Sequence, residues 1–171
     1  MTGVQTCALP IYSVGRLEWR SRELVSVHAT EATEPVNIVN VGYKSTNYFA
    51  IGSTGTPLLV DCGWPGTMPL LLANLKRADI ALSALKYLLV THFHPDHAGL
   101  AQELKQAGLT LLVFEGQEPF IAPLKQWMKT EMHYQDITRH DNRAVTFAGS
   151  RAFLRSIGID GQVIPTPGHS D

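Results

Sequence analysis

One stretch of the chain restricts its fold more than any other: a short apolar run that ends in a cluster of imidazole and carboxylate side chains. Residues 86–91 read Lys-Tyr-Leu-Leu-Val-Thr, and residues 92–99 read His-Phe-His-Pro-Asp-His-Ala-Gly. An uninterrupted apolar run of this kind is typical of a buried strand. The fold must therefore bury this strand and leave the polar cluster directly at its end.

Strand and helix patterns alternate on both sides of this stretch, which argues for a layered α/β domain. Aliphatic and β-branched runs predict strands at residues 24–28, 36–41, 46–51, 57–61, 110–114, 144–147 and 162–165, with a turn at 52–55 that makes a hairpin. Helical spacing predicts helices at 70–78, 98–107 and 150–157 and a mixed helical segment at 117–132. The length of 171 residues, 44% of them hydrophobic, fits one domain with a sizeable core.

Composition excludes several classes of partner. Fourteen Lys and Arg residues stand against 15 Asp and Glu residues, and no basic run is longer than two, so we expect no nucleic-acid partner. No apolar run approaches the roughly 20 residues that span a bilayer, so we expect no membrane partner. Two cysteines, Cys7 and Cys62, predict neither a disulfide framework nor a zinc ribbon. The compartment stays open, with the cytoplasm favoured.

The first eleven residues form a segment of their own. Residues 2–11 match the conceptual translation of a common sequencing-library adapter, ACT GGA GTT CAG ACG TGT GCT CTT CCG ATC. We therefore expect residues 1–11 to be non-native and residues 12–171 to form part of one domain. On this interpretation Cys7 is not biological, and the natural N-terminus and any targeting signal are unknown.

The cluster at residues 92–97 has the composition and spacing of a metal site. The pattern His-x-His-x-Asp-His arises by chance roughly 5 times in 10,000 chains of this composition. Residues two apart in extended chain point to one side, so His92 and His94 can converge on one ion, while Asp96 and His97 face a second position. These ligands suit zinc, and iron or manganese almost as well. A metal that retains a water can lower its pKa to about 7 and so supply a hydroxide nucleophile.

A further histidine follows a rigid turn near the end of the chain. Residues 165–170 read Pro-Thr-Pro-Gly-His-Ser, which places His169 after a predicted strand and a Pro-Gly turn. A histidine after Pro-Gly is by itself more often a turn residue. Beside the first motif, it is a candidate third ligand.

Together these segments resemble the metallo-β-lactamase-fold metallo-hydrolases. Residues 59–63 (Leu-Val-Asp-Cys-Gly), 90–99 and 166–170 carry the resemblance in the family's order, which spans about residues 36–171. By this resemblance His92, His94 and His169 hold a first metal, Asp96 and His97 belong to a second, and Asp61 is a carboxylate that supports the ligand loop.

The same resemblance implies an αβ/βα sandwich, classed as α/β or α+β, of which this chain would hold the first half to two thirds. A complete member continues to an Asp that bridges two metals and to another His. We therefore expect the 171-residue chain itself to bind metal poorly and to turn over little, whereas its parent gene encodes an active enzyme.

The function implied is metal-assisted hydrolysis of a small molecule. Hydroxide bound to two zinc ions, with iron or manganese as alternatives, would attack an ester, thioester, lactone or amide carbonyl, and Asp96 would orient the water or move its proton. A glyoxalase-II-like thioesterase or a lactonase fits as well as a β-lactamase. The alternative is an iron-dependent oxidoreductase on the same scaffold, similar to persulfide dioxygenases, and metal identity with oxygen uptake separates the two.

Aromatic residues near this site have two interpretations. The segment with Phe120, Ile121, Trp127, Met128, Met132 and Tyr134 either packs as helical core, which is favoured, or walls a substrate pocket. Trp64 and Pro65 lie on a loop near the predicted metals, and Cys62 is expected to be a small buried hydrophobe.

Overall fold

The computed structural model describes residues 35–52 and 58–169, and within them one mixed sheet carries the fold. Its six strands lie in chain order: β1 (Asn37–Asn40), β2 (Phe49–Gly52), β3 (Leu58–Val60), β4 (Tyr87–Leu89), β5 (Thr110–Phe114) and β6 (Arg143–Val145). The first three strands pair antiparallel, and β3 to β6 pair parallel. The layered α/β class predicted from the sequence is confirmed.

Helices connect the parallel strands, as parallel pairing requires. Helix α1 (Met68–Arg77) lies between β3 and β4, helices α2 (Pro95–Ala98) and α3 (Ala101–Gln106) between β4 and β5, and α4 (Glu118–Ile121) between β5 and β6. A short 3-10 segment lies between α1 and β4 (Leu82–Ala84), and two more lie between α4 and β6 (Ala122–Trp127 and Thr130–Met132). Helix α5 (Ser150–Ser156) follows β6.

The sheet is buried on both faces, which explains why its central strands are apolar throughout. Leu88 and Leu111 pack with Leu75 of α1 and Leu104 of α3 in one core cluster. The next residues, Leu89 and Leu112, point to the opposite face, where they pack with Phe114 of β5 and with Phe153 and Leu154 of α5. The alternation of side chains along each strand thus divides the core into two layers.

Two sequence-based predictions differ from the structure. The helix predicted at 98–107 is interrupted, because α2 ends at Ala98 and α3 begins at Ala101. The strand predicted at 162–165 was wrong: this segment is irregular, and the backbone N–H of Val163 donates to the Ser150 hydroxyl (3.0 Å) instead of to a neighbouring strand. The strand predicted at 24–28 and most of the turn at 52–55 lie outside the described residues.

Among the helices that the structure describes, none is both long and apolar enough to cross a membrane.

Candidate metal centre

Three neighbouring parallel strands end at the same edge of the sheet, and the candidate site lies there. Asp61 follows β3, Thr91 and His92 follow β4, and Gln117 follows β5. Because parallel strands point the same way, residues that are far apart in sequence meet at their carboxyl ends. The loop 90–94 connects β4 to the short helix α2, and the ligand loop formed by both carries most of the site.

Three of the predicted ligands converge. One donor atom from each of His92, His94 and His169 lies within 4.8 Å of the other two. His92 Nε2 and His94 Nδ1 are 3.1 Å apart, and the ring centroids of His92 and His169 are 4.9 Å apart. His92 and His94 are half-buried and His169 is exposed, so the cluster is open on one side.

The other two predicted ligands lie next to this cluster. The ring of His97 is 4.1 Å from that of His92, centroid to centroid, and its Nε2 is 3.4 Å from Asp96 Oδ2. The Asp96 side chain is 39% exposed. Asp96 and His97 are therefore paired beside the three-histidine cluster, and within the described part of the chain they are not in a group of three or more candidate ligands.

Asp61 lies beneath the ligand loop and is buried. Its Oδ1 accepts a hydrogen bond from the backbone N–H of Thr91 (2.8 Å), and its Oδ2 lies 2.8 Å from His97 Nδ1. Burial raises the pKa of Asp61, although hydrogen bonds from His97 and Thr91 oppose the rise. Burial also opposes the charged form of His97, but the hydrogen bond to Asp61 and its charge outweigh burial and raise the pKa of His97. The contact holds His97 with Nδ1 toward Asp61 and with Nε2 on the side of Asp96.

The donor set fits a metal ion. Neutral imidazole nitrogens are common ligands of zinc, iron and manganese. Burial, followed by the charges of His97, His94 and His169, lowers the pKa of His92 to about 3, and burial also lowers the pKa of His94. Both rings are therefore held in the neutral form that coordinates metal. His92, His94 and His169 could hold one ion, and Asp96 and His97 offer donors for a second.

Sequence reasoning missed two residues that brace the ligand loop. The Gln117 side chain donates to the backbone carbonyls of Val90 (3.0 Å) and Thr91 (3.1 Å) and accepts from the backbone N–H of Phe114 (2.9 Å). The Thr91 hydroxyl lies 3.0 Å from both Asp61 Oδ2 and His92 Nδ1. The sequence does place a polar residue after each of three strands. Polar residues are common at strand ends, so this pattern could not identify Thr91 and Gln117 as part of the site.

Backbone contacts hold the loop against the turn after β3. The backbone N–H of Cys62 donates to the carbonyl of His97 (2.8 Å), and Cys62 is fully buried, as expected. A Cβ on Gly99 would lie 2.5 Å from the Gly63 carbonyl oxygen, so only glycine allows this approach. The helix predicted at 98–107 is interrupted next to this contact, at Leu100, whose φ of −99° and ψ of 6° lie outside the helical region.

The aromatic segment separates into core and exposed residues. Ile121 is buried, and Met128 and Tyr134 pack against the core, as the favoured interpretation predicted. Trp127 is 66% exposed, and its ring centroid is 6.1 Å from that of His94. Trp127 is thus the member of the segment whose ring lies beside a predicted ligand.

Comparison with known families decides the relationship. The family model described as the metallo-beta-lactamase superfamily matches residues 41–171, which include all six predicted site residues. The chain belongs to the metallo-beta-lactamase superfamily. Members of this superfamily typically bind metal ions, in agreement with the histidine cluster. Among curated proteins, none matches the chain.

Solved metallo-beta-lactamases have the same fold. The enzyme MIM-1 from Novosphingobium pentaromativorans is 21% identical, with a TM-score of 0.53 over 64% of this chain and 41% of that chain. A beta-lactamase from Chitinophaga pinensis is 21% identical, with a TM-score of 0.52 over 63% and 42%. FEZ-1 from Legionella gormanii is 18% identical, with a TM-score of 0.51 over 67% and 44%. The chain spans less than half the length of these structures.

Proposed function

We propose that the protein is a metal-dependent hydrolase that cleaves an ester, thioester, lactone or amide bond of a small molecule. The observation that carries the proposal is the convergence of His92, His94 and His169 within 4.8 Å at the end of the parallel strands. Membership in the metallo-beta-lactamase superfamily supports the same class of chemistry. Two zinc ions are the proposed cofactor.

The residues have separate tasks in this proposal. His92, His94 and His169 hold the first ion, and Asp96 and His97 contribute donors for the second. When bound, such ions lower the pKa of a water molecule and polarise the carbonyl that it attacks. The Asp96 carboxylate is accessible beside His97, so it can orient the attacking water and accept its proton.

The surroundings of the site favour a small substrate. The exposed ring of Trp127, whose centroid is 6.1 Å from that of His94, offers an apolar surface near the cluster. The chain has a formal net charge of −1 and no long basic run, which does not favour a nucleic-acid substrate. These features favour an acyl substrate of modest size.

Hydrolysis by the complete gene product tests the proposal. The protein is stripped with a chelator, reloaded with Zn²⁺, Fe²⁺ or Mn²⁺, and assayed on an aryl ester, a thioester, a γ-lactone and a β-lactam. We expect metal-dependent hydrolysis of at least one of them without oxygen uptake. Asp96→Asn should lower kcat by about 100-fold or more because it removes both the proton acceptor and a carboxylate donor to the second ion.

A matched control and a contradictory result complete the test. Asp136→Asn changes an exposed carboxylate that pairs with Lys125 and should leave kcat unchanged. Oxygen consumption that requires Fe²⁺, with no hydrolysis of any of the four substrates, would replace the hydrolase with the oxidoreductase alternative. Equal loss in Asp96→Asn and Asp136→Asn would remove Asp96 from the mechanism.

A further inference from the structure

The Thr91 hydroxyl lies between residues of both predicted metal subsites. Its oxygen is 3.0 Å from Asp61 Oδ2, 3.0 Å from His92 Nδ1 and 3.4 Å from His97 Nδ1. Asp61 Oδ2 in turn lies 2.8 Å from His97 Nδ1. One buried carboxylate therefore contacts His97 directly and reaches His92 through Thr91.

The positions of the protons follow from the chemistry of these groups. A carboxylate can only accept hydrogen bonds, and a hydroxyl carries a single proton. Two oxygens 3.0 Å apart attract each other only with a proton between them, and the charge on Asp61 strengthens that bond. The Thr91 proton therefore points to Asp61, and the hydroxyl oxygen is left to accept a proton from His92 Nδ1.

We propose that Thr91 is a positioning residue. Its hydroxyl donates to Asp61 and accepts from His92 Nδ1, and this fixes His92 in the tautomer that has its proton on Nδ1. His92 Nε2 then carries a lone pair, which faces His94 Nδ1 at 3.1 Å. Asp61 holds a proton on Nδ1 of His97 by direct contact. One carboxylate thus fixes the Nδ1 proton of a histidine in each predicted subsite. This inference rests on one part of the proposed function, namely that a metal ion binds at these nitrogens.

The first test reads the tautomer in the metal-free chain. Long-range ¹H–¹⁵N correlation spectra distinguish the two neutral forms of each histidine, and His92→Gln assigns the His92 signals. We expect His92 and His97 both protonated at Nδ1. A metal-free parent chain with His92 protonated at Nε2 would overturn the proposal without any variant.

Two substitutions separate the hydroxyl from the shape of the side chain. Thr91→Val has the same shape without the hydroxyl, and Thr91→Ser keeps the hydroxyl. We expect Thr91→Val to move the His92 proton toward Nε2 and to weaken zinc binding by about 10- to 100-fold, as loss of a partner of a ligand does elsewhere. Thr91→Ser should restore both properties, and His97 should keep its tautomer throughout.

These results are independent of catalysis. An unchanged His92 tautomer and zinc affinity in Thr91→Val would refute the role of Thr91 even if the protein is an active hydrolase. Absence of hydrolysis in every assay, with the expected tautomers and the expected loss in Thr91→Val, would refute the proposed function and leave the role of Thr91 intact.

Discussion

Asp61 adopts the left-handed backbone conformation, with a φ of 59°. Most residues other than glycine avoid this region, but aspartate is one of the few that adopt it. The conformation places the buried carboxylate under Thr91 and His97, where it makes the hydrogen bonds described above. The sequence pattern around residue 61 showed only a polar residue at a strand end, and the importance of Asp61 came from the family resemblance.

The lowered pKa of His92 predicts a dependence of stability on pH in the metal-free chain. The folded protein protonates His92 only near pH 3, whereas an unfolded histidine takes up its proton near pH 6.5. Between these values the unfolded chain binds more protons at this residue. The free energy of unfolding should therefore fall as the pH falls through about 6.5.

Urea unfolding at pH 7.5 and pH 5 measures this dependence. His92→Gln removes the titrating group, so the midpoint in urea should fall less on acidification than it does in the parent chain. The comparison isolates His92 from His94, whose pKa is also lowered, and from His97, whose pKa is raised. Equal shifts of the midpoint in both proteins would contradict the burial of a neutral His92.

At the scale of elements, the interruption between α2 and α3 shows where a local pattern is insufficient. Residues 98–107 have helical periodicity, and Gly99 itself has helical angles of φ −62° and ψ −30°. By propensity alone, Gly99→Ala would stabilise the chain by about 1 kcal/mol. The added Cβ would overlap the Gly63 carbonyl and Pro65, so we expect a loss of about 1–3 kcal/mol instead.

Denaturant unfolding and zinc affinity together test the contact at Gly99. Gly99→Ala should lower both, because α2 carries Asp96 and His97 and would shift away from the turn after β3. Gly108→Ala is the control, since its Cβ would meet nothing within 4 Å and only the φ of 105° opposes it. It should cost stability without changing zinc affinity. A Gly99→Ala variant more stable than the parent chain would contradict this prediction, because the turn at Gly63 and Pro65 would then have moved to make room for the Cβ.

For the whole molecule, the apolar runs allowed the sheet to be predicted. Residues 58–60, 87–89 and 110–114 form apolar runs that predicted strands, and in the structure their side chains pack into the core on both faces of the sheet. The segment 162–165 also contains aliphatic residues, but its backbone bonds to Ser150, a tertiary contact that no local pattern contains. Thr91 and Gln117 meet in the site because β4 and β5 are neighbours in the sheet, which no local pattern shows either.

The candidate ligands were predictable because their chemistry is concentrated in short motifs. The spacing of His92 and His94 indicated one ion, and the structure brings both together with His169, although His169 lies far along the chain. Sequence spacing could not show that Asp96 and His97 lie beside this cluster as a pair. Among the described residues they belong to no group of three candidate ligands. Their roles as ligands stay a prediction.

The central claim is that His92, His94 and His169 hold one metal ion, and zinc X-ray absorption of the chain with one equivalent of zinc tests it most directly. The account predicts a spectrum with imidazole ligands from three histidines, and one imidazole fewer with weaker binding in His169→Ala. His140→Ala is the control, because His140 is exposed, with 75% of its side chain accessible, and is not in the cluster. A spectrum without imidazole scattering, or one that His169→Ala leaves unchanged, would contradict the account.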